Sequence, residues 1–207
     1  MNSCLEAEGL AVDRGGRTIM SGATFKLQSG ETLLLKGSNG AGKTTLLRAL
    51  AGLLPISGGR VLLAPAVKAS PSELRAAAIY VGHTDGVKSA MTAAEHLLFW
   101  SRLYPGGAAR IDAAVAAFGL DDLLKIRTGA LSAGQRRRVA LARLVISGKP
   151  IWLLDEPGAS MDAESNANLI ALVLAHNARG GAAVIATHDR IAITARTLVV
   201  ERAPQAA

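Results

Sequence analysis

Apolar positions along the chain follow two different periods, and the places where the period switches outline a fold. Leu5 to Val12 and Thr18 to Leu27 read as strands of a small antiparallel subdomain. Glu31 to Lys36, Ile151 to Leu154 and Ala182 to Ala186 are short, nearly unbroken apolar runs, the pattern of parallel strands buried on both faces. Val61, Ile79 to Gly82 and Leu198 mark further strands. Between these runs the spacing becomes helical. Thr44 to Leu54 carries Leu46, Leu47, Leu50, Leu53 and Leu54 on a helical repeat. Helices are also predicted over Thr92 to Leu103, Arg110 to Phe118, Ala133 to Ile146 and about Asp162 to Ala178. Pro105-Gly106-Gly107 separates the first two of these, and Gly180-Gly181 stops the last. The order predicts an α/β chain with a mostly parallel central sheet, a small N-terminal antiparallel β subdomain and an inserted helical subdomain.

Composition narrows the class. At 207 residues the chain has room for one domain with lobes and a substantial core. Its longest unbroken apolar run, Leu169 to Ala175, is too short to span a bilayer, and no secretion leader is read at the start. Cys4 is the only cysteine, so no internal disulfide can form and a reducing cytosol is the expected setting. His83, His96, His176 and His188 are scattered and no C-x-x-C-H occurs, so the chain is not expected to ligate haem or a structural metal. A net charge of +7 invites a nucleic-acid reading. Aromatic residues are only 3% of the chain, however, too few for a base-stacking platform. Arg136-Arg137-Arg138 falls inside a predicted helix, where its members read as solvated surface, helpers of site geometry, or attraction to an anionic leaflet. The tail Ala203 to Ala207 is expected to leave no room for an appended regulatory domain.

One glycine loop adds chemistry to this outline. Gly37-Ser38-Asn39-Gly40-Ala41-Gly42-Lys43-Thr44-Thr45 fits G-x-x-x-x-G-K-[ST] and sits between a predicted strand and a predicted helix. Glycines let the backbone wrap so that several N–H groups face phosphate oxygens, and the helix N-terminus adds its positive dipole end. Lys43 is expected to reach the β- and γ-phosphates of a nucleotide, and the Thr44 hydroxyl to hold Mg²⁺. A second part comes from Ile151 to Glu156, an apolar run ending in two acids. At the C-terminal end of a central strand, both would face the crevice where α/β sheets bind ligands. Asp155 is then placed to hold Mg²⁺ through water, and Glu156 to orient or deprotonate an attacking water. Leu131-Ser132-Ala133-Gly134-Gln135 opens the helix that follows with Ser132 as a good N-cap, and His188 follows the run Ala182 to Ala186 at another strand end.

The glycine loop, Leu131 to Gln135, the strand ending Asp155-Glu156, the loop Gly158-Ala159-Ser160-Met161-Asp162 and His188 together resemble the nucleotide-binding subunits of ABC transporters. The resemblance covers nearly the whole chain and implies a P-loop NTPase fold of ABC type in a single domain. It places the ATP-binding core in 1–83 and 148–207, and the helical subdomain with the signature in 84–147. It also implies a homodimer that sandwiches ATP. In it Ser132 and Gly134 of the signature Leu131, Ser132, Ala133, Gly134, Gln135 act on the partner's nucleotide. Asp162 would lie in the loop coupling the two sites, and His188 would contact the γ-phosphate. The short length, Ala133 within the signature, the arginine-rich stretch Gln135 to Leu144 and the segment Val81 to Lys88 are similar to the haem-exporter ATPases of cytochrome c maturation, the CcmA family. That likeness implies an ATP-hydrolysing motor with Mg²⁺, peripheral on the cytoplasmic face of the bacterial inner membrane. It further implies a transmembrane subunit CcmB, with CcmC and CcmD, and ATP-driven release of the haem-loaded chaperone CcmE.

The chain departs from the wider family at two positions. Thr84 stands where a glutamine is usual, so the isolated subunit is expected to turn over slowly until a membrane partner repositions the loop. Arg14 stands where an aromatic usually stacks on adenine; it reads either as a guanidinium on the base face, worth about 0.5–1 kcal/mol at an exposed site, or as a solvated loop arginine. Alternative readings are the ATPase of another small ABC exporter or importer, and a soluble ABC ATPase acting on nucleic acid or ribosomes. Relatives of the second kind carry long coiled coils or two nucleotide-binding domains, and a small-molecule kinase would leave Leu131 to Gln135 and His188 without a purpose. Binding of nucleic acid is not expected.

Overall fold

The computed structural model describes residues 3–65, 67–188 and 191–201, so Asp189 and the tail Ala203 to Ala207 lie outside the described residues. Two compact units divide the chain: Met1–Tyr80 with Pro150–Glu156 and His176–Ala207, and Val81–Lys149 with Pro157–Ala175.

The first unit opens with β1 (Ser3–Arg14) and β2 (Arg17–Gln28), an antiparallel pair. Gly15 and Gly16, at φ 59° and 73°, join them. Both central residues of the two-residue turn thus have the positive φ that matches strand twist in a hairpin, which explains two consecutive glycines. β3 (Thr32–Lys36) leads through the glycine loop into α1 (Lys43–Leu50), followed by β4 (Gly58–Leu63), β5 (Val67–Lys68), α2 (Pro71–Ala77) and β6 (Ala78–Val81). After the second unit come β7 (Ile151–Asp155), β8 (Ala182–Ala186) and β9 (Arg196–Val199).

A four-stranded sheet has the order β2-β1-β4-β5, and a five-stranded sheet the order β6-β7-β8-β3-β9. Within the latter, β7, β8, β3 and β9 run parallel. Every residue of β7 and of β8 is buried, as the unbroken apolar runs required. β9 lies at the edge and is mostly exposed, so its signal in the sequence was limited to Leu198. Leu46, Leu47, Ala49 and Leu50 of α1 join Leu5, Leu10, Leu27, Leu33 and Val184 in one buried cluster.

Two differences from the sequence expectation have local causes. The leucine spacing carried the first helix to Leu54, but α1 stops at Leu50. Gly52, at φ 66°, turns the chain left-handed, its N–H bonding the Ala49 carbonyl while that of Leu53 bonds the Arg48 carbonyl. This is a Schellman closure, and it leaves Leu53 exposed rather than packed. α2 was not expected, because seven residues with only Leu74 buried show no periodicity. Its cue is polar: Ser70 and Glu73 form a capping box around Pro71 in the first turn.

The second unit contains α3 (Ala93–Leu103), α4 (Ile111–Phe118) and α5 (Ala133–Ser147), with α5 packed against both others. α6 (Ala163–Ala178) begins here and ends in the first unit. Trp100, Val115, Phe118, Val139, Leu141 and Leu144 are buried. The Arg136-Arg137-Arg138 run is largely tied to carbonyl groups rather than spread as charge. Arg136 donates to Leu131 at 2.6 Å, Arg137 to Pro157 and Gly82, and Arg138 to Phe118 and Gly119 at 3.0 Å each. Among the described residues no helix is long and apolar enough to cross a membrane.

Candidate functional site

In the first unit the glycine loop curls around its own lysine. Lys43 is only 8% exposed, and its Nζ donates to the carbonyls of Gly37 at 2.8 Å and Ser38 at 3.2 Å. The same Nζ lies 3.2 Å from Nε2 of His188. Ala41 closes a tight turn by donating its N–H to Ser38 at 3.1 Å. Gly40 and Gly42, at φ 78° and 103°, take backbone conformations that side chains disfavour. At Gly42 a Cβ would also stand 2.9 Å from Cβ of Met20, so the loop can pack on β2 only without one.

Helix openings differ in a way that bears on this loop. α2, α3 and α5 each start with a capping box that satisfies N-terminal N–H groups from within. α1 starts at Gly42 with no side-chain cap. Its first N–H groups, a buried ammonium and a positive dipole end converge on one loop, a setting for a polyanion.

Beyond the loop, Thr44 Oγ1 donates to Oδ2 of Asp155 at 2.8 Å. Asp155 is 4% exposed and also accepts from the Tyr80 hydroxyl at 3.1 Å, which in turn accepts from Arg48 Nε at 3.4 Å. Burial pushes the Tyr80 phenol up, the Arg48 hydrogen bond pulls the other way, and the Asp155 charge adds to the rise. The phenol therefore stays protonated and donates. Tyr80 and Arg48 were not found by sequence reasoning. A tyrosine in a buried strand and an arginine on a helix carry no motif, and only the sheet brings them to the carboxylate.

Glu156 follows directly at φ 46°, a left-handed conformation that costs a non-glycine residue about 1–3 kcal/mol. Its N–H extends the ladder to the Ala186 carbonyl at 2.8 Å. Its carboxylate accepts from the His188 N–H at 3.3 Å and lies 3.6 Å from His188 Nε2. Lys43, Thr44, Asp155, Glu156 and His188 thus meet at the ends of β3, β7 and β8. The hydroxyl and carboxylate 2.8 Å apart are hard oxygen donors of the kind Mg²⁺ takes alongside substrate phosphates. Among the described residues no group of three or more His, Cys, Asp and Glu could hold a metal by side chains alone.

Leu131 to Gln135 and Asp162 belong to the second unit. Ser132 caps α5 as expected, accepting from Gln135 N–H at 3.2 Å while Gln135 Oε1 accepts from Ser132 N–H at 2.9 Å. A Cβ on Gly134 would lie 2.8 Å from the Ser160 carbonyl, so this glycine has a packing reason of its own. Asp162 caps α6, its carboxylate accepting from Ser165 N–H at 2.7 Å, and that bond holds its pKa below the usual range. Thr84 is exposed. Arg14 is exposed at the end of β1, beside the hairpin turn.

A phosphate-type loop, a hydroxyl–carboxylate pair and a strand-end glutamate on a parallel sheet fit the NTPase class, and the comparisons show the family. Residues 20–159 match the family model described as ABC transporter. The "Cytochrome c biogenesis ATP-binding export protein CcmA" of Paracoccus denitrificans is 49% identical over 89% of this chain and 82% of that protein. The protein of the same name from Ruegeria sp. (strain TM1040) is 46% identical over 94% and 89%. The chain belongs to the ABC transporter family and, within it, to the group of these cytochrome c biogenesis relatives. Solved structures agree on the fold alone. An ABC transporter ATP-binding protein from Pyrococcus furiosus superposes with a TM-score of 0.81 at 22% identity, over 95% of this chain and 96% of that one. A bacterial Atm1-family ABC exporter with ATP bound superposes with 0.83 at 22% identity, over 99% and 38%.

Proposed function

We propose that this chain is the ATP-hydrolysing motor subunit of an export-type complex serving cytochrome c biogenesis. The convergence of Lys43, Thr44, Asp155, Glu156 and His188 supports this most directly. In this reading the backbone N–H groups from Gly37 to Thr45 and the Lys43 ammonium hold the β- and γ-phosphates of ATP. Thr44, and Asp155 through a water, hold Mg²⁺, which when bound offsets phosphate charge. Glu156 orients a water and accepts its proton as the water oxygen attacks the γ-phosphorus. The bond to the bridging oxygen breaks, leaving ADP and phosphate. His188, already against both Lys43 and Glu156, contacts the γ-phosphate.

Two copies are proposed to close head to tail, with Ser132 and Gly134 of each meeting the other's ATP and Asp162 coupling the two sites. The Ser132 hydroxyl accepts within its capping box and keeps its own proton to donate outward. The chain is proposed to dock on transmembrane partners at the cytoplasmic face of the inner membrane. The relatives' names support an export role, and the family resemblance supports CcmB as the docking subunit, CcmC and CcmD in the complex, and release of haem-loaded CcmE as the driven step.

The test is Glu156→Gln. ATP binding is expected to persist while turnover falls by about 10²–10⁴-fold, the usual range for loss of a general base, and an ATP-bound dimer accumulates on size exclusion. Full turnover from a monomer would remove Glu156 from the chemistry.

A further inference from the structure

Arg137 is 2% exposed and stands among the largest fully buried side chains of the described residues. Burying a guanidinium is costly unless every donor direction is answered. Three of its hydrogen bonds reach separate segments of the second unit. Nε donates to the Pro157 carbonyl at 3.0 Å, and one terminal nitrogen donates to the Gly82 carbonyl at 2.7 Å and to Asp85 Oδ1 at 3.2 Å. Arg137 itself lies in the first turns of α5, two residues after Gln135.

Each contact has a consequence. Pro157 follows Glu156, whose left-handed backbone persists only if its surroundings hold it. The Ala186 carbonyl fixes Glu156 on its N–H, and Arg137 fixes the next residue on its carbonyl. The loop from Gly82 is pinned again at its far end. There the Lys88 N–H donates to Nε2 of buried His96 at 3.0 Å, and the Lys88 carbonyl accepts from buried Thr128 at 2.8 Å. Between the pins His83 and Thr84 are exposed, whereas the Asp85 side chain is 24% exposed and turned to the guanidinium.

We infer that Arg137 is a positioning residue for the hydrolytic step and Asp85 its partner, the pair tying the 82–88 loop to the carbonyl of Pro157, the residue that follows Glu156 in the chain. This rests on the reading of Glu156 as the water-activating acid.

The test uses the full chain. Asp85→Ala is expected to leave ATP affinity within about twofold and the chain folded, with a lowered melting temperature because the buried Arg137 guanidinium loses its carboxylate partner. It should lower kcat about tenfold, the order carried by one charge-assisted hydrogen bond. Asp85→Glu should restore part of the loss. In an Arg137→Lys background, Asp85→Ala should have little further effect, since the two act as one unit. Unchanged kcat in Asp85→Ala, with Glu156→Gln inactive, overturns this inference and leaves the hydrolytic reading standing. Joint loss of ATP binding and kcat also overturns it, by making the pair a structural pin. Full turnover of Glu156→Gln removes both. If Arg137→Lys fails to fold, the Asp85 series decides alone.

Discussion

The Thr44 hydroxyl donates to Asp155 at 2.8 Å, joining the glycine loop at the end of β3 to the strand end of β7 across a sheet in which β8 lies between them. A hydroxyl and a carboxylate so placed can exchange their mutual bond for a shared divalent ion. Thr44→Ala is therefore expected to raise the Mg²⁺ needed for half-maximal ATPase by about tenfold, the equivalent of about 1.4 kcal/mol. Titration of Mg²⁺ at fixed ATP measures it, and an unchanged requirement rules the pair out as the ion's seat. Tyr80→Phe should shift the same titration in the same direction by less, since Asp155 loses one neutral donor.

Lys43 has a second task visible only in three dimensions. Its ammonium holds the Gly37 and Ser38 carbonyls, so it shapes the loop as well as facing its centre. Lys43→Ala should weaken ATP binding by about 10–100-fold, the range for losing a hydrogen bond to a charged group. Glu156→Gln, by contrast, should bind normally. Equal ATP affinities for Lys43→Ala and the unaltered chain on calorimetric titration would contradict the assignment.

What was legible in the sequence depended on how locally the signal was encoded. The runs Ile151 to Leu154 and Ala182 to Ala186 announced β7 and β8 because strands buried on both faces are nearly continuous in apolar side chains. Ser132 announced the start of α5 because its cap is made within one turn. The Thr44–Asp155 pair was readable as two halves, each with its own motif. Tyr80, Arg48 and the buried member of the arginine run were not. Their partners are distant in sequence, and an arginine fully buried at Arg137 looks like its exposed neighbours until the carbonyls it meets are known. The Schellman closure at Gly52 was hidden by leucines that continued the helical spacing past it.

Two imidazoles set a pH dependence of stability. Burial lowers the pKa of His96, against the opposing pull of its Lys88 backbone contact, and burial likewise lowers that of His176. His96 Nε2 accepts the Lys88 N–H, which protonation would abolish, and His176 is stacked on Trp152 at 3.9 Å. With folded values below the unfolded value of about 6.5, the unfolded chain binds more protons between the two. The full contribution is present above about pH 6.5 and is lost as pH falls through that value toward the folded ones. The melting temperature should drop between about pH 7.5 and 5.5, and His96→Gln and His176→Gln should each flatten the slope. A flat profile in the unaltered chain would contradict the neutral assignment of buried His96 and half-buried His176.

Ser132 caps α5 and, in the proposed dimer, also contacts the other copy's ATP, and substitution can separate the two roles. Ser132→Ala removes the acceptor for the Gln135 N–H and should cost about 1 kcal/mol of stability, the usual loss of an N-cap. Ser132→Asn keeps an N-cap oxygen of equal rank, so the melting temperature should return. The hydroxyl proton does not return with it. If that proton is donated to nucleotide across the dimer, Ser132→Asn should remain deficient in steady-state turnover while binding ATP normally as a monomer, because binding uses the glycine loop of its own copy. The deficiency should also be complemented in trans: mixing Ser132→Asn with Lys43→Ala chains should leave one composite site with an intact loop and an intact signature from different copies. Some turnover should reappear in that mixture, although each variant alone is impaired. Recovery of full turnover by Ser132→Asn alone would reduce Ser132 to a helix cap, and absence of complementation in the mixture would argue against sites shared between two copies.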